Sequence, residues 1–241
     1  MSLYSRLRAI SLELRYQISC REALWPLMKP YSMTRARRFR RSEEARPEEA
    51  RVHRGLSIVV DGFPGSANSF AMRALRAMQG PASTCLIGNH YHSPAETIRA
   101  TALNIPVLLT LRRPVDSVNS MVRRWPFVPF NAALRWYAMF YEAVEPHLGK
   151  MVVSDFETTT GRFPSVIGAV NDQFGTDFRT ALPKDRMEEF EPRLRQDEHE
   201  QARRKAQVAS MRERFMESTS QDLRENAEKV YERVCTRVFG G

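Results

Sequence analysis

The chain has 241 residues, of which 42% are apolar, so it can bury a sizeable core and has the composition of an ordinary globular protein. Its formal net charge of +9 suits an anionic partner, such as a nucleotide, an acidic glycan, nucleic acid or a membrane surface. We do not expect nucleic acid, because the sequence has no zinc-finger spacing, recognition-helix signature or aromatic–basic sheet motif.

The cysteines and the lack of long apolar runs indicate the cellular compartment. Cys20, Cys85 and Cys235 are widely separated and odd in number, which predicts reduced thiols in the cytoplasm. No apolar run approaches the roughly 20 residues that span a bilayer, and the first residues show no signal-peptide pattern. We therefore expect a cytoplasmic protein, peripheral to a membrane at most.

The first predicted unit, residues 1–54, consists of a helix and a linker. Leucine and isoleucine recur at helical spacing between Leu3 and Ile18, with arginines among them. Such a helix can dock on a membrane face, or pack on its own domain or on a second subunit in a homodimer; we favour packing. The arginine-rich Arg35–Arg41 and the Glu/Arg/Pro-rich Ser42–Arg54 predict a solvated or disordered linker.

The second unit, residues 55–241, opens with a strand, a turn and a helix. Leu56–Asp61 is an apolar run typical of a buried strand, and Gly62, Pro64 and Gly65 end it. A helix can begin near Ser66 and continue through Met78. Backbone N–H groups and the positive end of the helix dipole would then converge on an anion site, although a plain turn between core elements has the same pattern.

This turn resembles an ATP-binding P-loop but lacks its lysine. Aligned from Gly62, the pattern G-x-x-x-x-G-K-[ST] places Ala67-Asn68-Ser69 where Gly-Lys-Ser/Thr should stand. The lysine of that pattern reaches the terminal phosphates of the nucleotide. Its absence argues against ordinary ATP or GTP hydrolysis.

A second predicted strand, Thr84–Ile87, precedes a loop with two histidines, His90 and His92. Histidine titrates near neutral pH and suits a general base. The H-x-H spacing could also bind zinc, but no third ligand cluster accompanies it, so we expect no metal. Both could equally be plain loop residues.

A third predicted strand, Ile105–Leu111, ends at Arg112. Proline at position 114 predicts a helix start, which places Ser120 about two turns into that helix. An arginine at the end of a strand is costly to bury without an anion, and a phosphate matches its planar fork. The alternative is an ion pair between Arg112 and Asp116 or Asp61.

The remaining pattern completes an α/β fold. Met151–Ser154 predicts a fourth strand, and the other segments are mostly helical. Strands that alternate with helices indicate a three-layer αβα sandwich with a mostly parallel sheet and a helical C-terminal region. The helical stretches are Asn131–Val144, which we expect in the core, then Phe163–Phe174, the charged and exposed Glu188–Arg214, and Gln221–Val238.

Taken together, the two turn segments resemble the sulfotransferase superfamily that uses 3′-phosphoadenosine 5′-phosphosulfate (PAPS). The family's P-[KR]-S-G-[TN]-[TS]-[FW] motif is similar to Pro64-Gly65-Ser66-Ala67-Asn68-Ser69-Phe70. Its R-x-P-x-D-x-x-x-S motif is similar to the segment from Arg112 to Ser120, with the same Arg-to-Ser spacing. The resemblance covers roughly residues 55–178 and implies P-loop NTPase-like topology for the sheet.

The resemblance implies transfer of a sulfuryl group from PAPS to an acceptor hydroxyl, on a carbohydrate or polysaccharide, with PAP (3′-phosphoadenosine 5′-phosphate) as the product. Gly62 and the segment from Pro64 to Phe70 would bind the 5′-phosphosulfate. Arg112 and Ser120 would anchor the 3′-phosphate, and His92 or His90 would take the acceptor proton. No metal is implied.

One position departs from the family. The lysine or arginine that usually follows the loop proline is Gly65 here, and loss of such a charge can cost roughly 100- to 1000-fold in rate. Arg113, Arg73 or the cluster Arg203-Arg204-Lys205 could replace it. Two alternatives therefore stay open: a P-loop-type kinase or NTPase, and a protein that binds PAP or PAPS without catalysis.

Overall fold

The computed structural model describes residues 3–28, 30, 33, 46–181 and 198–240, with the backbone alone for residues 198–205. Within this part lie four strands, which form one sheet. They are β1 (Ile58–Gly62), β2 (Ile87–Asn89), β3 (Val107–Leu111) and β4 (Val152–Asp155). The sheet order is β2-β1-β3-β4 and every neighbouring pair is parallel, which confirms the predicted α/β class and parallel sheet.

Helices occupy most of the rest of the described chain. They are α1 (Leu3–Ser19), α2 (Asn68–Gln79), α3 (Pro94–Ala102), α4 (Pro114–Arg124), α5 (Phe130–Val144), α6 (Phe156–Gly161), α7 (Phe163–Phe174), α8 (Glu198–Ser218) and α9 (Gln221–Phe239). Short 3-10 helices span Glu22–Leu27, Pro47–Ala50 and Glu145–Lys150. None of the described helices is long and apolar enough to cross a bilayer.

Successive strand residues point to opposite faces of the sheet and so enter two separate cores. Ile58, Val60 and Leu108 pack with α2 and α7 on one face. Val59 and Leu109 pack on the other face with α3, α4, α5 and α9. Helices therefore cover both faces, as an αβα arrangement requires.

Helix α5 supplies the centre of the larger core. Trp136, Tyr137, Phe140 and Tyr141 are fully buried, which confirms the predicted core stripe. Helix α1 packs on the same helix, because the ring of Tyr16 stacks on Trp136 with centroids 5.0 Å apart.

Strand β2 begins three residues later than predicted. The side chain of Arg46 donates to the carbonyls of Ser83 and Cys85, and the hydroxyl of Ser57 accepts the N–H of Leu86. Side chains thus satisfy the carbonyls of Ser83 and Cys85 and the N–H of Leu86. The carbonyl of Leu86 accepts the N–H of Ser57 at 2.9 Å, and the register with β1 begins at Ile87.

The predicted solvated linker is wrong for residues 46–52. Glu49, Ala50 and Val52 are buried. The carboxylate of Glu49 forms an ion pair with Arg76 and accepts the N–H of Ile87 at 3.0 Å. This acid ties the segment to α2 and β2, a long-range contact that composition alone does not reveal. Arg35–Arg41 and Ser42–Ala45 lie outside the described residues.

Candidate functional site

The glycine turn, residues 62–67, links β1 to α2 by close backbone packing. A Cβ on Gly62 would lie 2.4 Å from the carbonyl oxygen of Thr110, so no side chain fits there. Gly65 and Ala67 both have positive φ, +93° and +85°, which bends the chain sharply before α2 begins at Asn68. The turn thereby brings the N-terminus of α2 to the carboxyl end of the sheet.

Buried neutral side chains fix this turn from inside. The hydroxyl of Ser66 donates to the carbonyl of Phe63 at 2.7 Å and lies 2.8 Å from Oγ1 of Thr110. Thr110 Oγ1 donates to Oδ1 of Asn68 at 2.7 Å, and Asn68 Nδ2 donates to the carbonyl of Gly62 at 3.1 Å. Ser66 and Asn68 therefore use their side chains to hold the turn in shape.

Arg112 lies at the end of β3 with its guanidinium beside the glycine turn. Its Nη1 donates to the carbonyl of Gly65 at 3.1 Å, and its Cζ lies 3.8 Å from the ring centroid of Phe156. Of the two acids considered as partners, Asp116 forms an ion pair with Arg212 at 2.9 Å, and the carboxylate of Asp61 accepts hydrogen bonds from the histidine turn.

Two tyrosines of α5 brace the end of β3. Tyr137 Oη donates to the carbonyl of Arg112 at 2.7 Å, and Tyr141 Oη donates to the carbonyl of Thr110 at 2.9 Å. Burial raises the pKa of both phenols, so both remain protonated donors at physiological pH. Two buried tyrosines of the core thus fix the backbone from which the side chain of Arg112 extends.

Helix α4 packs directly against the glycine turn. A Cβ on Gly65 would lie 2.8 Å from both the carbonyl oxygen of Ser117 and Cβ of Ser120. Position 65 therefore has no room for a lysine or arginine side chain, and the packing brings Ser120 next to the turn.

The histidine turn, residues 89–93, is held by a buried carboxylate. His90 and His92 have positive φ, +54° and +47°, an uncommon conformation for residues other than glycine. The carboxylate of Asp61 accepts the N–H of His92 at 2.8 Å, the N–H of Ser93 at 3.3 Å and the hydroxyl of Thr97 at 3.0 Å. Burial raises the pKa of Asp61 to about 6, against the opposing effect of these hydrogen bonds.

The two imidazole rings lie 5.6 Å apart between centroids. Nδ1 of His92 lies 2.7 Å from the carbonyl oxygen of Gly62, which can only accept, so Nδ1 carries the proton. In the neutral ring Nε2 then holds the lone pair. Nε2 of His90 lies 3.5 Å from the hydroxyl of Ser69.

These groups border one cleft of about 380 Å³. Nine of the twelve site residues predicted from sequence line it: Gly65, Ala67, Asn68, Ser69, Phe70, His90, His92, Arg112 and Ser120. Gly62, Pro64 and Ser66 are not among its described lining residues; Gly62 and Ser66 shape the turn from behind.

One wall of the cleft was not predicted from the sequence. Gln207, Val208 and Met211 of α8 line it, although this helix was expected to be simply exposed. The sequence indicates this wall only weakly. Val208 and Met211 are three residues apart, which places them on one side of an otherwise charged helix.

Cations other than Arg112 also border the cleft. They are Arg73, Arg123 and Arg124. Of the proposed replacements for the missing loop cation, Arg73 is therefore on the cleft, and its Nε donates to the carbonyl of Ser69 at 3.2 Å. Arg113 is exposed and is not among the described lining residues. The side chains of Arg203-Arg204-Lys205 lie outside the described residues.

Among the residues that the structure describes, no three His, Cys, Asp or Glu side chains form a group that could hold a metal ion. Comparison with known proteins found no matching family model, no matching curated protein and no matching solved structure.

Proposed function

We propose that this protein is a PAPS-dependent sulfotransferase with a P-loop-like topology. One observation carries the proposal: the N-terminus of α2 and the guanidinium of Arg112, which come from separate strand ends, border the same cleft. Helix N-termini favour phosphate and sulfate, and an arginine fork favours phosphate. Two anion-binding groups in one cleft match a ligand that is charged at both ends.

The cleft has suitable dimensions and chemistry for an adenosine bearing 3′- and 5′-anionic groups. Its volume of about 380 Å³ falls in the usual range of ligand pockets, roughly 300–1,000 Å³. The first turn of α2, with Ser69, would bind the phosphosulfate through N–H and O–H groups. Arg112 and Ser120 would bind the 3′-phosphate, with the guanidinium lying against the ring of Phe156.

His92 is the better candidate base. Its Nδ1 proton is directed at the carbonyl of Gly62, so Nε2 can take the proton of an acceptor hydroxyl. The acceptor oxygen would attack sulfur as the bond from sulfur to the phosphate oxygen breaks, and PAP would leave. We propose a carbohydrate hydroxyl as acceptor.

Arg73 would supply the charge that other sulfotransferases carry after the loop proline. It lies one helical turn into α2 and is held against the carbonyl of Ser69, at the cleft wall. A preorganised cation near the leaving phosphate stabilises the negative charge that develops there.

The packing of Gly65 also favours a second candidate, a protein that binds PAP without catalysis. The close approach of α4 leaves no space for a cation at position 65. In that case Arg73 would serve binding alone, and PAPS would not be consumed with any acceptor.

Calorimetric titration with PAP, ATP and ADP tests the nucleotide site. We expect PAP to bind most tightly, and Arg112→Ala to weaken PAP binding about 10- to 100-fold, because a charge-assisted contact to phosphate is lost. Arg113→Ala is the matched control, since it removes the neighbouring arginine from outside the cleft. ATP binding equal to PAP binding, or equal effects of the two substitutions, would contradict the proposal.

Release of PAP from PAPS, measured over a panel of glycans, separates catalysis from binding. A transferase releases PAP only with an acceptor, and His92→Ala should lower the rate about 100-fold or more while PAP still binds. His147→Ala, a histidine in the 3-10 helix before β4, is the control. Tight PAP binding with no release from any acceptor would support the non-catalytic candidate.

A further inference from the structure

The outer face of α1 carries a stripe of apolar side chains that the described part of the chain leaves exposed. Leu3, Leu7, Ile10 and Leu14 follow one another at spacings of four, three and four residues, and their exposed fractions lie between 55% and 74%. Tyr4 is equally exposed beside them. Seven of the ten exposed large apolar side chains in the described residues precede residue 34, so the stripe is a concentrated feature.

The helix cannot rotate to bury this stripe, because its opposite face is fixed. Tyr16 is fully buried and stacks on Trp136. The indole Nε1 of Trp136 donates to Oε2 of Glu13 at 2.8 Å, and Gln17 contacts the sulfur of Met139. The helix does pack on its own domain, and this packing directs the apolar stripe outward.

The charge of the helix indicates which partner it suits. Helix α1 contains three arginines (Arg6, Arg8 and Arg15) and one acid, Glu13, a net charge of +2, and Arg21 follows it. Nε and Nη2 of Arg15 are buried and its guanidinium lies over the ring of Tyr16, so the exposed cations are Arg6, Arg8 and Arg21. The five arginines of Arg35–Arg41 follow in the sequence. Two such helices side by side would repel each other, whereas an anionic surface would attract each of them.

We propose that α1 docks this protein on an anionic membrane surface, with the apolar stripe inserted among the lipids. An apolar stripe bordered by arginines is the pattern of a helix that lies in the plane of the membrane interface. Tyr4 suits the interface, since its ring is apolar and its hydroxyl is polar. The helix spans no bilayer; it holds one face of the folded domain against the surface.

The test is co-sedimentation of the full chain with vesicles of phosphatidylcholine alone or with about 30% phosphatidylserine. We expect binding to the anionic vesicles, weakened as salt rises from about 0.1 to 1 M. The double variant Leu7→Ser/Ile10→Ser should lose about tenfold or more in binding. Met216→Ser/Phe239→Ser, which removes two comparably exposed apolar side chains from α8 and α9, should bind as the wild type does.

Three results would overturn the proposal. The stripe variant could bind anionic vesicles as well as the wild type does. Neutral vesicles could bind as well as anionic ones. Sedimentation velocity without vesicles could show a wild-type dimer that the stripe substitutions dissociate, which would assign the stripe to a second copy of this chain. Circular dichroism and melting temperature show whether each variant is folded.

Discussion

The glycine turn and the histidine turn border the same cleft and both hold residues at positive φ, but different chemistry fixes each of them. Steric packing and neutral hydrogen bonds around Thr110 fix the glycine turn. The carboxylate of Asp61, whose pKa is about 6, fixes the histidine turn.

Because of this difference, we expect the two sides of the cleft to respond differently to pH. Alcohol and amide groups do not titrate in the physiological range, so the network around Thr110 holds the glycine turn independently of pH. A group that does titrate near neutral pH also contacts this turn, through His92 Nδ1 and the carbonyl of Gly62. The side that carries His92 depends on a carboxyl group that changes charge in mildly acidic solution. Variants that act on one turn alone can therefore test the contrast.

The largest effect is expected from Gly65→Lys, which introduces the residue type found after the loop proline in the sulfotransferase motif that this turn resembles. The side chain would meet Ser117 and Ser120 at 2.8 Å and would force a residue other than glycine into positive φ. We expect a loss of about 4 kcal/mol in the free energy of unfolding and weaker PAP binding. Urea denaturation and calorimetry measure the two quantities.

Gly175→Lys is the matched control for this substitution. Gly175 also has positive φ, but a Cβ there meets no atom within 4 Å, so only the backbone cost of about 1 kcal/mol applies. Equal losses in the two variants would show that contact with α4 does not restrict position 65.

The second prediction concerns the pH dependence of stability set by Asp61. Its folded-state pKa is about 6, above the ordinary value of 3.8, so the folded protein holds this proton more tightly than the unfolded chain does. The stability that this group contributes is complete below about pH 4 and is lost as the pH rises through 6. Relative to Asp61→Asn, the wild type should lose roughly 3 kcal/mol over that interval.

Denaturation of both proteins at several pH values between 4 and 7 measures this difference. Asp172→Asn, on the exposed end of α7, is the control for removal of a negative charge. A constant difference between wild type and Asp61→Asn at every pH would contradict a titrating carboxyl under the histidine turn.

The third prediction tests the neutral network of the glycine turn. Thr110→Val keeps the shape of the side chain but removes the hydroxyl, which leaves Ser66 and Asn68 buried with fewer partners. We expect a loss of about 2 kcal/mol, the same at pH 5 and pH 8. Thr159→Val, at a buried threonine whose hydroxyl donates to Ser154, should cost about 1 kcal/mol. If the loss of stability in Thr110→Val depended on pH, the two turns would not differ in their sensitivity to pH.

Local pattern predicted most of the elements. Helix α7 has the predicted bounds, and α5 begins one residue before the predicted start, because apolar spacing and flanking residues determine both. The order of site residues along the chain was also readable, since each follows a strand of one parallel sheet and meets the others at its carboxyl edge.

Long-range contacts could not be predicted. The inward direction of Ser66 and Asn68 depends on Thr110, which lies more than forty residues away in sequence. The cleft wall from Val208 and Met211 depends on the packing of α8 against α4, which the ion pair between Arg212 and Asp116 joins. In both cases the deciding partner is distant along the chain, and no local spacing encodes it.

The burial of Glu49 shows the same limit and leads to the smallest predicted effect. A stretch rich in Glu, Arg and Pro has the composition of a linker, yet one acid in it meets Arg76 and the N–H of Ile87. Glu49→Gln removes the ion pair while an amide oxygen can still accept from Ile87. Because Arg76 is one-third exposed, water screens the pair, and we expect a loss of about 1 kcal/mol in the free energy of unfolding.

Glu48→Gln, at the exposed neighbouring acid, is the control and should change stability by less than about 0.5 kcal/mol. A double-mutant cycle with Arg76→Ala isolates the coupling between the two charges. If Glu48→Gln destabilises as much as Glu49→Gln, or if the cycle shows no coupling, residues 46–52 are held by their apolar contacts alone. Val52 and Ala50 would then carry the attachment of this segment to the sheet, and charge would play no part in it.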